Sequence, residues 1–226
     1  NIFDPDIAAR VADHDPLLAW KAPFLNVRFF LLRAVLYFGC WTFIALLYYR
    51  LSRNQDTTGD HAISGRLRKL AGPTIIVLAL TQTFASVDWI MTLTPHWYST
   101  MFGVYFFAGS FVGFIALLAV MSVAMRGAGL LDTVISTEHL HDVGKFLFAF
   151  TAFWAYIAFS QFFLMWYANL PEETILYKAR LEGSWKTVSI LLMLGHFAAP
   201  FLFLMGRGVK RRGWTLALGG AWLLAM

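Results

Sequence analysis

The sequence predicts an all-α fold, a polytopic transmembrane helical bundle with five full spans and a truncated sixth. Three observations carry that reading. Hydrophobic residues fill 59% of the 226 positions and charged residues only 14%, against about 45–50% and 25% in ordinary globular chains. Mean hydropathy is +0.62, and a soluble chain of this size could not bury so much apolar surface and keep a wettable exterior. The long apolar runs lack the alternation of period two that a membrane β-barrel requires, so they read as helices.

The elements follow in order. The first 23 residues hold Asp4, Asp6, Asp13 and Asp15 with Pro5 and Pro16, which is no signal peptide, since that needs a basic start and an apolar centre. Spans then cover Phe29–Tyr49, Gly72–Thr94, Met101–Met125, Phe146–Leu170 and Trp185–Met205. Each reaches the roughly 20 residues a bilayer needs. A sixth, Trp214–Met226, is apolar but short. The whole of 1–226 reads as one transmembrane domain, an internal piece of a longer subunit. Gly109 and Gly113 in the third span form a small-xxx-small pair that would admit a neighbouring helix. No span is broken by a mid-membrane proline or glycine pair.

Basic residues set the orientation expected. Eleven fall on one side: Arg50, Arg53, Arg66, Arg68, Lys69, Arg126, Lys145, Arg207, Lys210, Arg211 and Arg212. Six fall on the other: Arg10, Lys21, Arg28, Lys178, Arg180 and Lys186. Loops 50–71, 126–145 and 206–213 are therefore expected in the cytoplasm, with the N-terminal segment, Pro95–Thr100 and Pro171–Ser184 outside. The net charge of +5 is explained by this topology, without a nucleic-acid partner. Cys40 is the one cysteine, which excludes a disulfide framework and a cysteine-held metal or iron–sulfur site.

Ionisable groups within a membrane are costly, usually paired and often functional. Asp88 lies six residues before the outer end of the second span and Arg33 just inside that of the first. At 1.5 Å per residue both sit roughly 8–10 Å deep, within reach of one another. They would form a buried ion pair, either purely structural or able to exchange a proton through an aqueous pocket. In the fourth span Lys145, Tyr156, Ser160 and Tyr167 fall near one face, with Gln161 next to it, and His139, His141 and Asp142 precede them. Titratable and hydroxyl groups at stepped depth suit a proton relay; the bland reading is a polar cap on an amphipathic connector. His196 is near the middle of the fifth span, but no second histidine matches its depth as bis-histidine haem would require. A hydrogen-bonded core histidine is expected instead, and no metal site. Pro171 stops the fourth helix, and Glu172 and Glu173 charge the start of a short following helix that also carries Arg180; this loop could dock an extramembrane partner.

Three stretches resemble a known family. They are Phe84-Ala-Ser-Val-Asp-Trp-Ile-Met-Thr-Leu-Thr-Pro-His-Trp-Tyr, His139-Leu-His-Asp-Val-Gly-Lys, and Phe153-Trp-Ala-Tyr-Ile-Ala-Phe-Ser-Gln-Phe-Phe-Leu-Met-Trp-Tyr-Ala-Asn-Leu-Pro-Glu-Glu-Thr. Together they look like the ActF-type membrane subunit of bacterial alternative complex III, a quinol:electron-acceptor oxidoreductase. That subunit is related to the NrfD-like polysulfide-reductase membrane subunits, built from paired four-helix bundles. The resemblance implies a place in the bacterial inner membrane beside a paralogous quinol-binding membrane subunit, an iron–sulfur subunit and a multihaem cytochrome c subunit. Those partners would carry the c-type haems and iron–sulfur clusters, with quinol the substrate of the complex and no cofactor bound by this chain. Where the paralogue is expected to have histidine after the tryptophan of Pro-x-Trp, this chain has Tyr98 after Pro95-His96-Trp97, so His96, Trp97 and Tyr98 read as a vestigial quinone region. The leading function is a structural or proton-conducting subunit, neither redox-active nor itself catalytic. A stand-alone secondary transporter and a scaffolding membrane anchor are the alternatives.

Overall fold

The computed structural model describes residues Asp15–Met226. Arg10, which entered the sidedness reading, and Asp4, Asp6 and Asp13, which entered the signal-peptide reading, lie outside the described residues. The helices are α1 (Pro16–Lys21), α2 (Val27–Thr58), α3 (Ala62–Trp89), α4 (Phe102–Gly127), α5 (Thr137–Ala168), α6 (Pro171–Arg180), α7 (Gly183–Leu191), α8 (Ala199–Met205), α9 (Arg207–Arg211) and α10 (Gly213–Ala225). A 3₁₀ turn, Met91–Leu93, follows α3, and a π-helical stretch, Leu192–Ala198, joins α7 to α8. Among the described residues there is no strand. Five helices are long and apolar enough to cross a membrane: Val27–Thr58, Ala62–Leu93, Phe102–Gly127, Thr137–Ala168 and Gly183–Met205.

The connectors expected at 50–71, 126–145 and 206–213 are largely helical instead. Hydropathy marks only the apolar part of a helix, whereas the backbone continues until something stops it. From Arg50 to Thr58 neither proline nor glycine interrupts the turn, and Thr57 and Thr58 bond their hydroxyls back to the Arg53 and Asn54 carbonyls; α2 ends where Gly59 turns left-handed (φ 66°) and returns its N–H to Gln55. At the start of α5, Ser136 Oγ accepts from His139 N (3.2 Å) while His139 Nδ1 faces Ser136 N (3.2 Å). This capping box begins the helix at Thr137, nine residues before its apolar run.

The chain divides into two compact units, Asn1–Tyr98 and Ser99–Met226. The first is a hairpin of α2 and α3 with the short α1 ahead of it. Pro73 lies inside α3 rather than at its start, because that helix already begins at Ala62. In the second unit, α4 presents a seam of small residues. Ala108, Val112, Ala116 and Ala119 are completely or almost completely buried, against Leu140, Leu147 and Trp154 of α5, Leu204 of α8, and Leu216 and Leu223 of α10. Gly220 of α10 lies close against the α4 backbone, where an added Cβ would stand 2.8 Å from the Ala116 carbonyl oxygen. The expected Gly109–Gly113 device is not that contact. Gly113 has open space around it, and Gly109 merely meets the Trp154 indole.

The fifth long helix, Gly183–Met205, runs unbroken but changes to π-helical winding over Leu192–Ala198, and Pro200 supplies the reason. Lacking an N–H, it cannot donate to the helix ladder. The ladder shifts upstream of it, with Ala199 N–H bonding Leu194, five residues back. Gly195 then has no ladder donor, since Ala199 is committed and Pro200 has none. Trp222 of α10 fills the gap, donating Nε1–H to the Gly195 carbonyl at 2.7 Å.

Candidate functional site

Two long apolar helices do not select a register by hydrophobicity, because lipid is as apolar as a neighbouring helix. Hydrogen bonds across the hairpin select it here. Arg33 Nε donates to Asp88 Oδ2 (2.8 Å), Tyr37 Oη to the same oxygen (2.6 Å), Trp41 Nε1 to Thr81 Oγ1 (2.9 Å) and Tyr48 Oη to Thr74 Oγ1 (3.2 Å). On α3 the partners Thr74, Thr81 and Asp88 recur every seven residues, the repeat of a left-handed helix pair. Sequence reading found Arg33 and Asp88 and missed Tyr37, Trp41, Tyr48, Thr74 and Thr81. The signal was present in that seven-residue spacing of polar residues along an apolar helix.

Asp88 is the centre of the arrangement, only 2% exposed. Both described donors converge on Oδ2, and Oδ1 is buried without a hydrogen-bond partner among the described residues. Arg33 is held from several sides. Its terminal nitrogens both reach the Phe24 carbonyl at 3.3 Å, and its guanidinium carbon stands 3.9 Å from the Phe24 ring centre and 4.2 Å from that of Phe29. Trp89, next to Asp88, packs with Tyr37, Phe38 and Trp41 at ring-centre distances of 6.0, 5.5 and 5.8 Å. The result is a carboxylate walled by aromatic rings, with one oxygen saturated and the other able to accept. A buried acceptor without a donor is rare in a folded protein, and it is the position where an arriving proton would add.

His96 and its neighbours belong to the same unit. His96 Nε2 stands 3.1 Å from Asp15 Oδ2, Trp97 is buried, and Tyr98 is exposed.

The α5 stripe separates. Tyr156 and Tyr167 are 65% and 78% exposed, Ser160 is half-buried, and Lys145 is exposed. Gln161 is buried on the opposite face with Thr151 and Trp154, so it does not stand next to the stripe. At 100° per residue it lies roughly 100–160° around the helix from the other four. Thr151 offers no relay donor to a neighbour, since its hydroxyl bonds the Leu147 carbonyl at 2.8 Å. The inner cluster is engaged locally. His139 completes the capping box, His141 Nδ1 lies 4.0 Å from Glu138, Asp142 pairs with Lys145 at 2.6 Å, and Glu138 pairs with Arg211.

His196 departs from expectation. Its Nδ1 is buried with no hydrogen-bond partner among the described residues, and its ring sits edge-on to Trp154, centres 4.4 Å apart. The short helix after Pro171 forms as expected, with Glu172 and Glu173 in its first turn and Arg180 in its last. Tyr177 anchors it on Phe162 (5.3 Å between centres), and burial pushes that phenol up to about 12 against the opposing pull of Arg180. No group of three or more metal-ligating side chains occurs among the described residues.

No protein-family model matches the chain, and no curated protein matches it in sequence.

Proposed function

We propose that this chain is a membrane subunit of a bacterial respiratory quinol:electron-acceptor oxidoreductase of the alternative complex III type, handling protons or bracing the assembly and not itself redox-active. It would lie in the inner membrane as a member of the NrfD-like bundles, with the Pro95 loop and α6 on the outer side. Its partners would be the quinol-binding paralogue, the iron–sulfur subunit and the multihaem cytochrome c subunit. The observation that carries the proton-handling role is Asp88, an almost fully buried carboxylate with a free Oδ1 and an arginine and a tyrosine on Oδ2. An intramembrane charge so placed suits proton exchange, and the motif around it is one of the strings that resemble the family. The local pairing of His139, Asp142 and Lys145 supports the cap reading for the inner cluster and moves the weight of the proposal to Asp88.

The π-helical stretch in the fifth long helix favours one other reading, a transporter. Single π-helical turns recur at functional sites, and this one carries His196, whose Nδ1 has no hydrogen-bond partner among the described residues. Purification in mild detergent separates the two. Co-eluting c-type haem absorbance is the expected outcome for the respiratory subunit, whereas a homogeneous, colourless single subunit is expected for the transporter.

A further inference from the structure

At the open end of the hairpin, where α2 begins and α3 ends, the segment before α2 lies on Arg33, the partner of Asp88, and is held in an unusual way. α1 and the turn after it, Asp15 to Leu25, bury no residue in α1, and Trp20 is 80% exposed. Apolar packing holds it only at Phe24, whose ring meets Phe29 and Arg33. Among the described residues, the rest of the segment is fastened to the Pro95 loop by polar contacts. Lys21 Nζ donates to the Pro95 carbonyl at 2.6 Å, Asp15 Oδ2 meets His96 Nε2 at 3.1 Å, and Lys21 Nζ lies 5.9 Å from the Tyr98 ring centre. The segment is stiff between these latches and α2. Phe24 and Leu25 return their N–H groups to the Lys21 carbonyl, and Asn26 bonds Pro23 through its amide while capping α2 through its carbonyl. At the apex of that stiff turn, Phe24 lays its ring and its carbonyl on Arg33.

We propose that Asp15–Leu25 is a hinged strap that controls water access to Asp88, latched by Lys21 and Asp15 on the Pro95-His96 loop and acting on the site through Phe24. The inference rests on Asp88 being a proton-exchanging group. A segment that buries no residue in its helix and is fastened by a few polar contacts opens at far lower free energy than the helices beneath it. On opening, Phe24 leaves Arg33, two guanidinium nitrogens turn to water, and Asp88 gains a path to solvent beside its saturated oxygen. Asn26, the cap of α2, is the hinge, because its contacts survive the release of both latches.

The test reads access directly on the full chain in membrane fragments open on both sides. Two carbodiimides are applied, one water-soluble and one lipid-soluble (dicyclohexylcarbodiimide), and adduct formation at Asp88 is followed by mass spectrometry. The ratio of the two rates separates access through water from the reactivity of the carboxyl itself. In Asp15→Asn/Lys21→Met the α1 cap acceptor is kept and both latches are weakened. Loss of a hydrogen bond from a charged donor together with the neighbouring Asp15–His96 contact should raise the ratio about tenfold or more. Trp20→Ala, which alters the same helix without touching a latch, should leave it unchanged. An unchanged ratio in the latch variant, or an equal rise in Trp20→Ala, overturns the strap. Absence of any Asp88 adduct with either reagent overturns the exchange reading and the strap with it.

Discussion

Arg33→Gln should sharply lower the stability and yield of the folded protein, while the double change Arg33→Gln/Asp88→Asn restores much of both. The single change leaves Asp88, 2% exposed, as a bare carboxylate with only Tyr37 on it. Stranding one member of a buried pair costs about 3–5 kcal/mol, a large part of the about 5–15 kcal/mol by which proteins are stable. Asp88→Asn alone should cost less. The Arg33 side chain is 12% exposed and keeps the Phe24 carbonyl and two aromatic faces, and asparagine still accepts from Tyr37. Denaturant titration of the four proteins in mild detergent gives the coupling energy. Equal and additive losses for the two single changes would remove the pair from the account.

The second large effect is expected far from the charges. Gly220→Ala should destabilise the second unit by about 1–3 kcal/mol through overpacking, and valine there should do so more severely. The added Cβ would meet a backbone carbonyl, Ala116 O at 2.8 Å, so a helix must move to admit it. Gly219 offers the comparison, since its nearest neighbours are the ends of Leu204 and Phe203 side chains at 3.2 and 3.3 Å, which can turn away. Gly113→Ala, with nothing within 4 Å, should be neutral or slightly stabilising, because alanine is the better helix former. The same titration applied to the three variants checks the order.

How the sequence carried some of this and not the rest follows from what each signal measures. Composition and apolar run length marked the five helices that are long and apolar enough to cross a membrane, because a bilayer demands both. They could not give helix ends, which depend on local devices such as the Ser136 capping box and the left-handed Gly59. The Arg33–Asp88 pair was legible from depth alone, since two opposite charges at one level of adjacent antiparallel helices have few other partners. Tyr37 was not, because an aromatic residue in an apolar run looks the same whether its hydroxyl faces lipid or a carboxylate. The α5 stripe misled for a related reason. Spacing groups residues on a face without saying which face is inward, and the inward one was set by Leu147, Trp154 and Gln161. Pro200 stood in plain view in the fifth span. Its consequence, a shifted ladder and an orphan carbonyl taken by Trp222, needed the neighbouring helix to be in place.

The central claim is that Asp88 handles a proton linked to quinol oxidation, and one measurement reaches it most directly. The complex carrying Arg33→Gln/Asp88→Asn, chosen because it removes the carboxylate without stranding the arginine, is reconstituted in vesicles, and electron transfer from quinol is followed together with the pH change. Electron transfer should persist while the protons moved per electron fall below those of the unaltered complex. An unchanged ratio of protons to electrons would contradict the claim and leave Arg33, Tyr37 and Asp88 as a structural clasp between two helices.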